Sequence, residues 1–325
     1  MTILATYPLA FGAATVGNLY RPLSDEKAFE TLAAAWDAGI RHFDTAPHYG
    51  LGLSERRLGA FLRTKPRDEF VISTKVGRIL EPVDQADGAE IGDDMAHNFA
   101  VPRTHVRRYD ASAAGVRRSL DESLQRLGLD RVDIVYLHDP DVAPEGERRA
   151  LDSALPALAE LRAEGMASAV GIGSKSLTAL EGAATSGLCD ALMVSSRTTL
   201  LDYSAVDTVL PACVSNGVET IAVSIFNSGL LARPRPDAAL RYNYGPASAE
   251  LVDRTSRIAD ICEQHGTDLP TVAIAFPRRL NGVAAVCVSA SSAEQSTQTA
   301  ERAVTPVPEG LWSDLEAAGL IPALP

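Results

Sequence analysis

The chain has no run of basic residues and no basic helix face. Thirty Lys and Arg stand against 42 Asp and Glu, a formal net charge of −12. Such a balance argues against a phosphate backbone or an anionic bilayer as partner, while leaving room for one anionic ligand held by local dipoles. Cysteine is scarce. Cys189, Cys213, Cys262 and Cys287 form no C-x-x-C pair and each sits among apolar neighbours, which predicts buried free thiols in a reducing compartment. No apolar run approaches the length of a membrane span. The apolar start has no charged segment ahead of it, its first basic residue being Arg21, so the expected location is cytoplasmic. Also missing are a Pro/Gly/Ser-rich linker, a low-complexity segment and a sequence-level repeat. With 46% hydrophobic and 22% charged residues in 325, the expectation is one globular domain over 1–325.

What is present is an alternation of short strands and helices. Apolar segments at 8–15, 40–43, 70–75, 132–137, 167–172, 191–195, 218–224 and 283–288 read as strands. Between them lie helical patterns. Ser24 caps one with Phe29, Leu32, Ala33 and Trp36 on one face, and Gly39 ends it. Ser54 opens a second, with Glu55 in its first turn. Ser112 opens a third, with Val116, Leu120, Leu124 and Leu127 aligned and Gly128 at its end. Further helices are expected near 152–164, 177–185, 204–215, 249–265, 271–280 and from 293, and residues 311–325 should cover a barrel edge. Alternation of this kind requires parallel strands with right-handed crossovers. Eight units with no break predict a closed (β/α)8 TIM barrel. The competing open sheet rests on Gly171-Ile-Gly173-Ser-Lys-Ser176, which follows a strand and precedes a helix. Its third glycine is missing, and Asp190 begins a strand instead of ending one. Two stretches, 77–110 and 225–246, are too long for ordinary connections, and loops of that size are usually functional.

In such a barrel the C-terminal strand ends share one mouth. Asp44, Lys75 and His138 stand at three of them, and Tyr49 lies on the loop after the first. A free tyrosine titrates near ~10, and an adjacent lysine cation favours its phenolate. Asp44 would keep Lys75 charged, and His138 would hydrogen-bond a substrate oxygen. The set makes a tunable acid/base and lacks a nucleophile, pointing to redox or isomerisation rather than hydrolysis. Plainer readings exist for each residue. Asp44 could cap Thr45 and Ala46, His138 could be a core histidine, and Lys75 a snorkelling surface lysine. Glu55-Arg56-Arg57 reads most simply as a solvated helix face. His138-Asp-Pro-Asp141 with His42 or His48 could ligate a metal, but matches no common ligand spacing.

Phe43-Asp-Thr-Ala-Pro-His-Tyr-Gly50 with Leu53-Ser-Glu-Arg-Arg-Leu-Gly59 resembles the signature of the aldo-keto reductases. Gly17-Asn-Leu-Tyr20, the run from Ser119 to Gly128, His138-Asp-Pro-Asp141 and Phe226-Asn-Ser-Gly-Leu-Leu231 are similar to the branch holding L-fucose (D-threo-aldose) 1-dehydrogenases and pyridoxal 4-dehydrogenases. The resemblance implies a catalytic tetrad of Asp44, Tyr49, Lys75 and His138, and a nicotinamide cofactor bound across a TIM-barrel mouth. It also implies oxidation of a cyclic hemiacetal, an aldose such as L-fucose or D-arabinose, to a lactone, with Tyr49 moving the proton. Pyridoxal oxidation to its lactone is the alternative within the branch. An NADPH-dependent aldehyde or ketone reductase is a second, and a non-catalytic nicotinamide-binding regulatory subunit a third.

For the cofactor the resemblance implies contacts from Gly12, Ala13, Asp44, Ser174 (or Lys175), Ser224, Phe226, Asn227 and Gly229. Val223 stands where many relatives stack an aromatic ring. Ser289, Ser291 and Gln295 should reach the adenine ribose. The segment from Val288 to Gln295 has no basic residue for a 2′-phosphate, and Glu294 lies within it, which predicts NAD in preference to NADP. Substrate contacts should come from the two long loops: Arg103, His105, Arg108, Asn243 and Tyr244 for a sugar, or Phe99, Tyr109, Tyr242 and Tyr244 for pyridoxal. The expected partner is a small-molecule substrate, a sugar or pyridoxal hemiacetal, with no nucleic acid and no membrane, and the oligomeric state is not legible.

Overall fold

The computed structural model of the protein describes residues 3–83, 92–236, 241–243 and 245–323. Tyr244 lies outside them. Eight parallel strands close into a barrel: β1 (Leu9–Gly12), β2 (His42–Asp44), β3 (Val71–Val76), β4 (Ile134–His138), β5 (Ala169–Ser174), β6 (Ala191–Ser195), β7 (Glu219–Val223) and β8 (Val283–Val288). Each pairs with its sequence neighbours, and β1 closes on β8 through Leu9 and Val286. The (β/α)8 expectation is borne out, with β2 to β5 ending one or two residues nearer the mouth than expected, β6 and β8 at the expected bounds, and β1 and β7 shorter.

Side chains alternate across the pleat. Phe11, Phe43, Ile72, Val135, Leu137, Ile172, Leu192 and Val194 point outward into one large core shared with the helices. Ala10, Val71, Ile134, Tyr136, Ala169, Ala191, Met193, Ile221, Ala285 and Cys287 point inward and fill the barrel. The short helix α1 (Ile3–Thr6) adds Leu4 to that inner cluster, and Leu4 and Ala5 donate their backbone N–H groups to Glu219. Gly171 and Gly173, which carried the open-sheet alternative, belong to this packing. A Cβ on Gly171 would stand 1.7 Å from the carbonyl oxygen of Ala191 on the next strand. On Gly173 it would meet the Lys75 side chain at 3.8 Å. Both lie inside β5, where Gly171 admits the backbone of the neighbouring strand and Gly173 has room for a side chain against Met193 and Lys75.

The outer ring comprises α2 (Asp25–Asp37), α3 (Leu53–Leu62), α4 (Ala113–Leu127), α5 (Glu147–Ala163), α6 (Leu177–Ala184), α7 (Val209–Asn216), α8 (Ala249–Gln264), α9 (Leu269–Ala275) and α10 (Ala293–Val304). Ser24 and Ser112 cap their helices by accepting from Lys27 and Gly115. Ser54 does not cap: the N-cap of α3 is Gly52, in the left-handed region. The last helix, α11 (Glu309–Ala317), packs on α8, with Trp312 against Phe276. All four cysteines are free, three of them buried. No helix among the described residues is long and apolar enough to cross a membrane.

The two long connections carry structure of their own. Residues Arg78–Pro82 pair antiparallel with His105–Tyr109, and Asp93–Asp94 pair with Phe99–Pro102. Arg241–Tyr242 and Gly245–Pro246 form a second small hairpin. The two meet where the Arg241 guanidinium donates to Asn98 Oδ1 at 3.2 Å.

Candidate active site

Asp44 ends β2, His138 ends β4, and Lys75 is the penultimate residue of β3. The pleat turns Lys75 inward above Tyr136, where it is 2% exposed. A buried ammonium needs a full set of acceptors. Lys75 Nζ donates to Asp44 Oδ2 at 2.6 Å and to the Thr45 carbonyl at 3.0 Å, and also bonds the Tyr49 hydroxyl. Burial alone would lower the pKa of Lys75. The Asp44 charge and the bonds from Asp44 and Tyr49 outweigh it and hold the group above its ordinary value, so Lys75 is a cation. Burial pushes the Asp44 carboxyl up, against the pull of Lys75 and of the Ser73 hydroxyl, which donates to Oδ1 at 2.8 Å. Asp44 therefore serves Lys75 and does not cap Thr45 or Ala46.

Tyr49 is placed by its backbone. Its N–H donates to Ala46 and its carbonyl accepts from Ser54. Gly50 follows with φ 61°, and a Cβ there would lie 2.2 Å from the Gly17 carbonyl, so only glycine fits. The ring stands with its centroid 4.8 Å from Lys75 Nζ and packs on Phe99 at 6.1 Å. His138 meets it edge-on at 6.0 Å. Burial, with the Arg78 and Lys75 charges, holds His138 well below the usual imidazole range, so the ring is neutral. The structure thus brings Asp44, Tyr49, Lys75 and His138 to one mouth, as a proton donor/acceptor beside a fixed cation. Among the described residues no three His, Cys, Asp or Glu side chains are grouped to hold a metal.

Two readings of α3 are corrected. Glu55 is fully buried: Oε1 accepts from Thr74 Oγ1 at 2.8 Å and Oε2 from Arg126 Nε at 2.5 Å. Arg57 donates to Asp25, Asn18 and the carbonyls of Val16 and Leu23. Only Arg56 remains solvated. Ser54, not a cap, donates to the Ala13 carbonyl at 2.7 Å and bonds Thr45 Oγ1. These links fasten the Tyr49 loop to β1, β3 and α4.

The 78–109 excursion places residues at the mouth that the sequence reading missed. His48 stacks edge-on between His138, His97 and Phe99. Arg107 forms a two-pronged pair with the buried Asp94 and donates to the His48 carbonyl; Arg78 pairs with Asp139 at 2.6 Å. Pairing sets Arg107 opposite Leu80 and Arg78 opposite Tyr109, while Arg108 falls on the other face and is held by Glu81 and Asp110. Arg103 is exposed and His105 bonds Thr104, so the side-chain bonds seen for these three expected sugar contacts run to Thr104, Glu81 and Asp110 and not to Asp44, Tyr49, Lys75 or His138. Period-two alternation through 105–109 was the signal that separates Arg107 from Arg108. Phe99 packs on Tyr49, whereas Tyr242 faces Asp202 and Arg197. Asn243 lies at the turn of the second hairpin.

The expected cofactor contacts fall at the ends of β1, β5, β7 and β8. A Cβ on Gly12 would stand 2.7 Å from Ser289 Oγ, and the Ala13 N–H is spent on the Asp44 carbonyl. Ser174 Oγ donates to Asp141 and accepts from the Ser176 N–H, so its hydroxyl is already engaged. Ser224, Asn227, Ser228 and Gly229 all take left-handed backbone conformations, and Phe226 is half-buried among them. Asn227 is 1% exposed with neither amide atom hydrogen-bonded. An unpartnered buried amide is costly in isolation and fits a polar ligand laid along this loop. Ser291 donates its N–H and Oγ–H to Gln295, and Arg21 donates to Ser291 Oγ at 2.7 Å. Tertiary contact therefore brings a cation to a segment whose own sequence has none.

Residues 8–319 match the sequence profile of the aldo/keto reductase family. The chain is 51% identical over 323 residues to a D-threo-aldose 1-dehydrogenase of a Pseudomonas species, covering 98% of this chain and 96% of that one. It is 34% identical to a pyridoxal 4-dehydrogenase of Microbacterium luteolum, with the same coverage. An aldo-keto reductase from Bacillus halodurans, solved in its holo form, superposes with a TM-score of 0.75 over 98% of this chain and 93% of that one, at 22% identity, which speaks to the fold alone.

Proposed function

We propose that this chain, which belongs to the aldo/keto reductase family of oxidoreductases, oxidises an aldose at the anomeric carbon of its cyclic hemiacetal to the lactone. The carrying observation is Tyr49, whose hydroxyl is bonded by a buried lysine that Asp44 keeps charged, with a neutral imidazole on its other side. Similarity along nearly the whole chain to an aldose dehydrogenase supports the substrate class. The proton of the anomeric hydroxyl passes to Tyr49 Oη, and the Lys75 cation stabilises the phenolate that must accept it. His138 donates to the substrate oxygen and sets its angle. A nicotinamide, held by the 224–229 loop and the 289–295 turn, supplies the two-electron acceptor when bound. In this reading the domain 1–325 acts as one catalytic unit in the cytoplasm, a location that its free thiols support.

NAD is the proposed preferred cofactor. Ser289, Ser291 and Gln295 suit a ribose hydroxyl, and Glu294 opposes a phosphate. Arg21 is one exposed guanidinium already engaged with Ser291, and leaves NADP a usable second choice.

Reduced-nicotinamide absorbance with NAD or NADP, offered L-fucose, D-arabinose, L-galactose and pyridoxal in parallel, tests the reading. A fast signal with a sugar, with the product trapped by hydroxylamine as a hydroxamate, is expected. Turnover of pyridoxal alone would move the substrate to the flat wall that Phe99 provides beside Tyr49. Silence with every sugar would remove the aldose assignment.

A further inference from the structure

Arg78 follows Lys75 by three residues, where the chain leaves β3 for the antiparallel hairpin. Its guanidinium has two partners: Nη2 donates to Asp139 Oδ2 at 2.6 Å, and Nη1 stands 3.4 Å from His48 Nδ1. A guanidinium only donates. His48 Nδ1 must therefore accept, and the single proton of the neutral ring sits on Nε2. Asp139 Oδ2 lies 3.4 Å from His138 Nε2 without hydrogen-bond geometry, so its negative charge favours the proton of that ring on Nε2 while leaving the N–H free for another acceptor. Asp139 reaches this position from a left-handed backbone, φ 46°, directly after the strand. The two rings are 5.7 Å apart and both flank Tyr49.

We propose that Arg78 is a positioning residue, acting on His48 directly and on His138 through Asp139, that fixes which ring nitrogen carries the proton and so sets two Nε2–H donors beside Tyr49. His48 faces Arg78, Arg107, His97 and Lys75, with Asp94 and Asp139 as the nearby carboxylates; His138 faces Arg78, Lys75, His48, Arg107 and Asp139. Burial and those cations keep both rings far below the usual imidazole range. Two adjacent neutral donors suit two neighbouring oxygens of a polyhydroxylated substrate. That last step rests on the aldose reading; the assignment of the protons does not.

The test is a long-range proton–nitrogen correlation spectrum of the full-length, nitrogen-labelled protein, with His48→Gln and His138→Gln supplying assignments. Wild type should show both rings as the Nε2–H tautomer, with no titration between about pH 5 and 8. Arg78→Met should release His48 to mixed tautomers and raise its pKa part of the way, with burial still holding it below the ordinary ~6.5. An Nδ1–H tautomer at His48 in wild type overturns the proposal, and needs no variant that folds. So does an Arg78→Met spectrum in which both rings are unchanged. In the aldose assay, Arg78→Met should add an acid limb to kcat/KM below about pH 6.5. Arg78→Lys keeps the charge but not the fork, so it should raise KM about tenfold without that limb. An equal loss at every pH in both variants would mark a merely structural role. If wild type turns over no aldose, the functional reading fails while the spectrum still decides Arg78.

Discussion

Lys75 Nζ and Asp44 Oδ2 stand 2.6 Å apart inside the barrel mouth, with side chains 2% and 4% exposed. Neither can be neutralised by water, so the pair is strong only while both members are present. Lys75→Met leaves a buried carboxylate and Asp44→Ala a buried ammonium. Each should cost about 3–5 kcal/mol of stability, measured by urea denaturation. The double substitution should recover most of that loss and none of the turnover. Additive losses in the double variant would show that the pair is not coupled.

Tyr49→Phe removes the hydroxyl that Lys75 bonds while keeping the ring packed on Phe99. Turnover should fall by about 10²–10⁴-fold, the usual worth of a positioned proton-transfer group. Cofactor affinity, read by protein fluorescence quenching, should change less than about twofold. Near-wild-type turnover would take the proton transfer away from Tyr49.

His42 is fully buried, with Nε2 3.4 Å from Ser73 and Nδ1 unpartnered. Burial first, then the Lys75 charge, lowers its pKa to about 4. The unfolded ring takes a proton near ~6.5, so stability is complete above that pH and declines as the pH falls through the window down to about 4. The loss attributable to His42 is on the order of 3 kcal/mol. Burial shifts His48 and His138 in the same direction and deepens it. Denaturation midpoints from pH 7.5 to 4 should show the fall, and His42→Gln should make it shallower. A flat profile in wild type would mean that the ring is hydrated.

Glu55 joins Thr74 on β3 to Arg126 on α4 with no exposure of its own. Glu55→Ala strands a guanidinium that is only 15% exposed. The expected cost is about 3 kcal/mol, toward the low end for a broken buried pair because Arg126 keeps some solvent and a distant Glu122. Since Thr74 precedes Lys75, turnover should fall as well. An unchanged melting temperature would return Glu55 to the surface role that its sequence neighbours suggest.

Arg21 and Ser291 offer the cleanest measurement of cofactor choice. KM should be lower for NAD than for NADP in wild type. Arg21→Ala should raise KM for NADP several-fold, the scale of one charge-assisted phosphate contact, with little change for NAD. A wild-type preference for NADP would refute the argument from the 288–295 segment.

Strand and helix periodicity, glycine and serine punctuation and the order of Asp44, Tyr49, Lys75 and His138 were all legible in the sequence. Each is a local pattern, and a parallel barrel converts local strand ends into one mouth without further information. What lay between sequentially distant residues was not legible. Glu55 and Arg126 are 71 residues apart and Arg21 and Ser291 are 270. Whether such charges meet depends on which helices and loops the closed sheet brings together. A Glu-Arg-Arg run on a helix looks the same whether solvent or another helix covers it. The long excursion after β3 reads only as a loop, because strands of two to four residues carry too few alternating positions to show a period, and the five-residue alternation at 105–109 is too short to be told from chance without its partner strand. Sequence determined the barrel and the residues at its strand ends. Tertiary packing decided which arginine faces the mouth, which glutamate is buried, and which cation reaches the 289–295 turn.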